Sequence, residues 1–185
     1  MGLIEYARGL GLEAHAELSP ADFVPSDEIR IYCERNNCGH YGNNYMCPPY
    51  IGTLDEIAGQ LDDYYSCLLL RYSQPLDVKN DKEGLKRTRL EFHNKVLQVE
   101  QYLRDQGIAD IWGLSGGNCS LCETCAVVSG KKCVFPDRAR TSLEAIGIKV
   151  SEILNKAGLD AGFHPDRITW TGCVFFSKAN AYGGS

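Results

Sequence analysis

Cys119, Cys122, Cys125 and Cys133 put four thiols within fifteen residues, the first three on consecutive two-residue spacings. A segment so crowded with thiols and so poor in packable apolar side chains must be held by something other than a hydrophobic core, and metal binding supplies that restraint. Two intervening residues let the backbone curl around a compact object while each sulfur points at a different corner of it. Zinc is more often gripped by two well-separated pairs, because a tetrahedral ion needs two knuckles. The tract therefore predicts a [4Fe-4S] cluster on Cys119, Cys122, Cys125 and Cys133, with zinc as the alternative cofactor.

The C-x2-C-x2-C run resembles that of bacterial ferredoxins, in which such thiolates hold a cubane cluster. Ser115-Gly116-Gly117-Asn118 leads into it, and glycines let a backbone approach a bulky anion with its N–H groups free. Lys131 and Lys132 precede Cys133 and bring cationic charge to a negatively charged group. The last gap departs from the ferredoxin pattern. It is seven residues rather than three, and Pro136 follows at a distance instead of directly. Cys133 thus closes either this cluster or a neighbouring one.

Cys33, Cys38 and Cys47 form a second constellation, C-x4-C-x8-C, ending in Cys47-Pro48-Pro49. The stretch between them is polar, glycine-bearing and short of helix formers, which reads as a loop organised by a metal. Three thiolates would leave one iron of a cubane open to His40, to Cys133 or to an exogenous molecule. An open metal position can bind and activate a small substrate. A closed zinc site on Cys33, Cys38, Cys47 and His40 is the competing expectation. Tyr41, Tyr45 and Tyr50 surround these cysteines and are expected to pack as aromatics.

Nine cysteines is an odd number, so they cannot all pair as disulfides within one chain. The first residues lack a signal peptide's apolar core, and the expected compartment is the reducing cytoplasm, where cysteines serve as metal or redox ligands. A net charge of −5 without a basic block argues against nucleic acid and against an anionic membrane surface. The apolar run Cys67-Leu68-Leu69-Leu70 is too short to span a bilayer. No glycine-rich nucleotide loop or nucleophile elbow is present.

The 185 residues predict one α/β domain over 1–185, a mixed sheet flanked by helices, with the cysteine-rich loops at strand ends. Strands are expected at 13–18, 28–33, 64–72, 108–114 and 168–177. Helices are expected over 2–10, after the capping box Thr53-Leu-Asp-Glu56, over 82–106 with Leu85, Phe92, Val96, Val99 and Leu103 on one stripe, and after a second capping box, Thr141-Ser-Leu-Glu144. Cys67 and Cys173 read as buried thiols, His93 as a surface or boundary residue, His15 as solvated and His164 as part of a loop. Arg138 and Arg140 are candidates for pairing with cluster charge or with an anionic partner.

Three blocks together resemble a prokaryotic family of cysteine-rich predicted metal-binding proteins. They are Cys33…Cys38…Tyr41-Gly42…Cys47-Pro48-Pro49, then Gly117-Asn118-Cys119-Ser-Leu-Cys122-Glu-Thr-Cys125, then Cys133…Pro136…Arg138…Ser142-Leu-Glu144-Ala145-Ile-Gly147-Ile148. The resemblance implies a small cytoplasmic metal or iron–sulfur protein, carries the cysteines over as ligands and names no substrate. From the sites we expect an iron–sulfur redox protein, fed by a ferredoxin-like partner and reducing a small molecule at an open iron. A non-catalytic electron carrier subunit and a zinc-binding structural or metal-handling protein are the alternatives. The sequence leaves enzymatic activity and oligomeric state undecided.

Overall fold

Strand β2, Ser66–Pro75, is buried from Cys67 to Tyr72 without interruption, as a strand covered on both faces must be. It pairs antiparallel with β1, Glu13–His15, on one side and with β4, Arg167–Phe176, on the other; β3, Ile111–Leu114, completes the order β1-β2-β4-β3. This computed structural model describes residues 1–178. Every ladder in the sheet is antiparallel, which corrects the expected mixed sheet; a parallel pairing occurs as an isolated bridge outside the strands, Ser115 to Ser142.

Alternate side chains of β2 feed two cores. Leu68, Leu70 and Tyr72 face helix α1, Leu3–Gly9, and helix α4, Lys82–Asp105, where they meet Ala7, Phe92, Val96, Val99 and Leu103. Cys67 and Leu69 face the opposite way, with Ile57 and Leu61 of helix α3, Leu54–Asp62, and Ile153 and Leu154 of helix α5, Val150–Lys156. Cys67 and Cys173 lie in this second core as expected, and the Cys67 thiol donates to the Leu18 carbonyl at 3.3 Å. The capping box at Thr53 and Glu56 forms with both reciprocal bonds in place. No helix is long and apolar enough to cross a membrane among the described residues.

Two expected elements differ. Residues 28–33 lie in helix α2, Asp27–Glu34, rather than in a strand, and none of its side chains is fully buried. Ser26 caps it by accepting from the Glu28 N–H, and Asp27 and Glu28 occupy the first turn, where they suit the helix dipole. The Ile29/Ile31 alternation that suggested a strand has no core to face. The Thr141-Ser-Leu-Glu144 box opens a turn, not a helix. Ser142 is held extended by its bridge to Ser115, and Gly147 stands at φ 87°. Leu143 and Ile146 are still fully buried, so the inward pattern was right and the period wrong. Helix α5 starts later, at Val150.

Candidate metal centre

β3 delivers the chain into the 116–141 excursion, and the same strand end receives it back. The Ser115 N–H donates to the Thr141 carbonyl at 2.9 Å, so the loop leaves and returns at one point. Gly116 and Gly117 lie so close to Trp170 that a Cβ at either would stand 3.2 or 3.3 Å from the indole side chain. Arg89 of α4 reaches up to grip the start of the tract, donating to Asn118 Oδ1 at 2.7 Å and to Ser120 Oγ at 3.3 Å. Cys125 precedes a short 3-10 turn, Ala126–Ser129.

The N-terminal cysteine loop follows helix α2 instead of a strand, which corrects the expectation that both loops sit at strand ends. Cys33 is in the last turn of α2. Three hydrogen bonds dock this loop on the other one. Asn44 Nδ2 donates to the Cys119 carbonyl, the Tyr45 hydroxyl to the Lys131 carbonyl and the Thr141 hydroxyl to the Met46 carbonyl, each at 2.8 Å. Tyr45 and Tyr50 pack edge to face, as expected of aromatics here.

Between the two loops is a cavity of about 470 Å³ whose walls include Cys119, Cys122, Cys125 and Cys133 together with His40 and Arg89. Cys133 therefore lies with the first three thiols. His40 lines this same cavity and not a separate one beside Cys33 and Cys38. Burial, then the nearby Arg89 cation, lowers the His40 pKa and favours the neutral imidazole. Burial raises the Cys119 pKa, while N–H groups of Leu121 and Arg140 aimed at its sulfur pull it down, and the thiols of Cys133 and Cys122 push it up again.

Cys47 is buried and its thiol is pushed up to about 12 by burial first, and then by Cys38, Cys33, Cys119 and Cys125. It thus stands within electrostatic reach of both cysteine groups, which the sequence spacing had kept apart. Cys33 is raised by burial and by Cys38, against the opposing Arg30 cation. Arg30 Nη1 donates to the Gly52 carbonyl, while its buried Nε and Nη2 have no partner among the described residues. Also among the described residues, no three His, Cys, Asp or Glu side chains stand close enough to share one metal ion. The donor set nevertheless fits a thiophilic group: four soft sulfurs around one cavity, with N–H donors and a guanidinium beside them.

Arg140 turns away from the thiols. Its Nε and Nη2 pair with Glu100 of α4, both at 2.6 Å, and Arg104 reaches the same carboxylate at 2.8 Å. Glu100 is 0 % exposed. Arg138 donates to Asn94 Oδ1, and its carbonyl accepts from His93 Nε2 at 2.7 Å. His93 is buried, contrary to the surface or boundary position expected of it, because it fastens α4 to the returning limb of the cysteine loop. Arg89, Asn44, Thr141 and Glu100 each support the site through a partner 29 or more residues away in the chain, so no local spacing announces them.

Thiols gathered around one cavity on an α/β scaffold mark a cysteine-rich metal-binding protein. The chain belongs to the DUF2284 family of predicted metal-binding proteins, whose profile matches residues 16–176. No curated protein and no solved structure gives a match.

Proposed function

We propose that the protein is an iron–sulfur redox protein with a [4Fe-4S] cluster on Cys119, Cys122, Cys125 and Cys133. One observation carries the reading. All four thiols line a single cavity of about 470 Å³, in which each could take a different iron of one cluster. Such a cluster, when bound, supplies one-electron transfer. The chain's own groups do the rest. Leu121 and Arg140 N–H groups stabilise charge on the Cys119 sulfur, and Arg89 adds a cation beside it. Asn44 and Tyr45 close the second loop over the cavity.

Cys33, Cys38 and Cys47 form the proposed second centre. With His40 on the other cavity, it has three thiols, and the Arg30 cation, whose Nε and Nη2 have no partner among the described residues, favours negative charge at Cys33. Three protein ligands leave room for a small molecule to bind and be reduced. If a fourth protein ligand completes it, the protein is an electron carrier.

Protein prepared without oxygen is expected to contain iron and acid-labile sulfide; stoichiometric zinc without sulfide overturns the reading. Cys122→Ala is expected to lose that cluster and to leave the 115–136 loop protease-sensitive, with the sheet intact. An exogenous thiol or cyanide should perturb one of two paramagnetic signals, and Cys38→Ala should abolish the response. If neither signal responds, the open-iron enzyme is refuted in favour of the carrier.

A further inference from the structure

The cavity mouth carries three large apolar side chains in water. Val128, Val134 and Phe135 are 59 %, 62 % and 38 % exposed, and Val128 and Phe135 belong to the cavity wall. Apolar groups concentrated at the opening of a site mark a contact surface. The charges around them are segregated. Residues 82–90 and 131–140 together hold eight of the chain's nineteen Lys and Arg but two of its twenty-four Asp and Glu, Glu83 and Asp137. Of the eight, Arg140 is neutralised by Glu100 and Arg87 stands 3.9 Å from Glu91. Lys86 and Arg89 line the cavity itself, as does the acidic Glu123. Lys131 and Lys132 are exposed just before Cys133, and Arg138 is exposed against α4. A chain of net charge −5 thus presents a rim of basic groups around an apolar patch at a cavity lined by four partly exposed cysteines.

We propose that this rim is the docking surface for an acidic one-electron carrier protein of the ferredoxin type, an inference that rests on the iron–sulfur reading of the same site. Val128, Val134 and Phe135 form the dry contact, and Lys86, Lys131, Lys132 and Arg138 steer the partner's carboxylates. The reduced carrier loses one electron and the centre behind the rim gains it. No bond forms or breaks, and neither protein needs another reductant.

The test is stopped-flow reduction of the anaerobically prepared protein by a reduced, acidic bacterial ferredoxin over a series of salt concentrations, with photoreduced deazaflavin as the small reductant. The ferredoxin rate is expected to fall about tenfold from low to high salt, as electrostatically steered association does. Lys131→Glu/Lys132→Glu should lower the low-salt rate about tenfold and flatten the salt dependence. Lys86→Glu, remote in sequence from any cysteine, should act in the same direction when rates are normalised to the iron content of each variant. Phe135→Ser should slow the reaction while keeping the salt slope. Equal rates in wild type and both charge-reversed variants, or a rate indifferent to salt, overturn the docking surface. So does self-association abolished by the same variants without any effect on the ferredoxin rate, which would assign the rim to a second copy of this chain. A centre that deazaflavin reduces but ferredoxin does not sinks the docking surface and leaves the iron–sulfur reading standing. Absence of iron and sulfide sinks both.

Discussion

Glu100→Gln tests whether the site's scaffold depends on a buried charge pair. Glu100 is 0 % exposed and takes Arg140 through both carboxylate oxygens, while the Arg140 side chain is 13 % exposed. Removing one member of such a pair leaves the other as an uncompensated buried charge, which costs about 3–5 kcal/mol. Two features place this case at the low end. Arg140 Nη1 keeps its bonds to the Asp137 and Ala139 carbonyls, and Arg104, with a 43 % exposed side chain, can return to water. We expect a loss of about 3 kcal/mol, or a fall of about 1.5 M in the urea midpoint for a slope near 2 kcal/mol/M. Arg140→Met should cost less, because Arg104 still faces Glu100. Glu100→Met/Arg140→Met should recover much of the loss, since apolar replacement of both partners is often neutral. Urea unfolding of wild type, Glu100→Met, Arg140→Met and the double variant under anaerobic conditions gives the coupling energy. Losses below about 1 kcal/mol in both single variants, or strict additivity in the double, would refute the reasoning.

Gly113→Ala should act through the same carboxylate: its Cβ would stand 1.9 Å from Glu100 Oε1, so a loss of about 1–3 kcal/mol is expected, much reduced in a Glu100→Ala background. Burial, and then the Arg140 and Arg138 cations, hold the His93 pKa below the ordinary value of 6.5. The unfolded chain therefore takes up that proton more readily, and stability should be full above pH 6.5 and decline as pH falls through the window beneath it; urea midpoints that show the same slope in His93→Gln would count against this. Thr53→Ala should remove the cap of α3 and cost about 1 kcal/mol. It should also weaken the acid-side contribution of Glu56, whose carboxyl is held below 4.5 first by the Thr53 N–H, which the variant keeps, and then by the hydroxyl, which it loses, and whose support is lost as pH falls below that value. Asn44→Ala should free the second cysteine loop from the Cys119 carbonyl and speed proteolysis within residues 36–50, with little change in the urea midpoint.

Helix α4 shows why part of the fold could be read in advance. Its stripe of Phe92, Val96, Val99 and Leu103 repeats at helical period over 24 residues, long enough for periodicity to be unambiguous. Eight residues of α2 gave no such length, and an Ile-Arg-Ile alternation mimicked a strand. The 141–147 turn carried a capping sequence, but a bridge from Ser142 to a strand end far away in the chain overrode the local preference.

The sequence by itself determined the things that depend on spacing: the thiol tract, the loop character of both cysteine segments, the long helix and the burial of Cys67 and Cys173. Tertiary structure alone decided which thiols share a cavity. It put His40 with the 119–133 cysteines, set Cys47 within reach of both groups and fastened the loops through Asn44, Tyr45 and Thr141. It also buried His93 and Glu100 beneath the returning limb. The reason is physical. Residue spacing constrains directions only over a turn or two of backbone, whereas these contacts join segments 40 or more residues apart, and closing such separations is settled by the packing of the whole sheet.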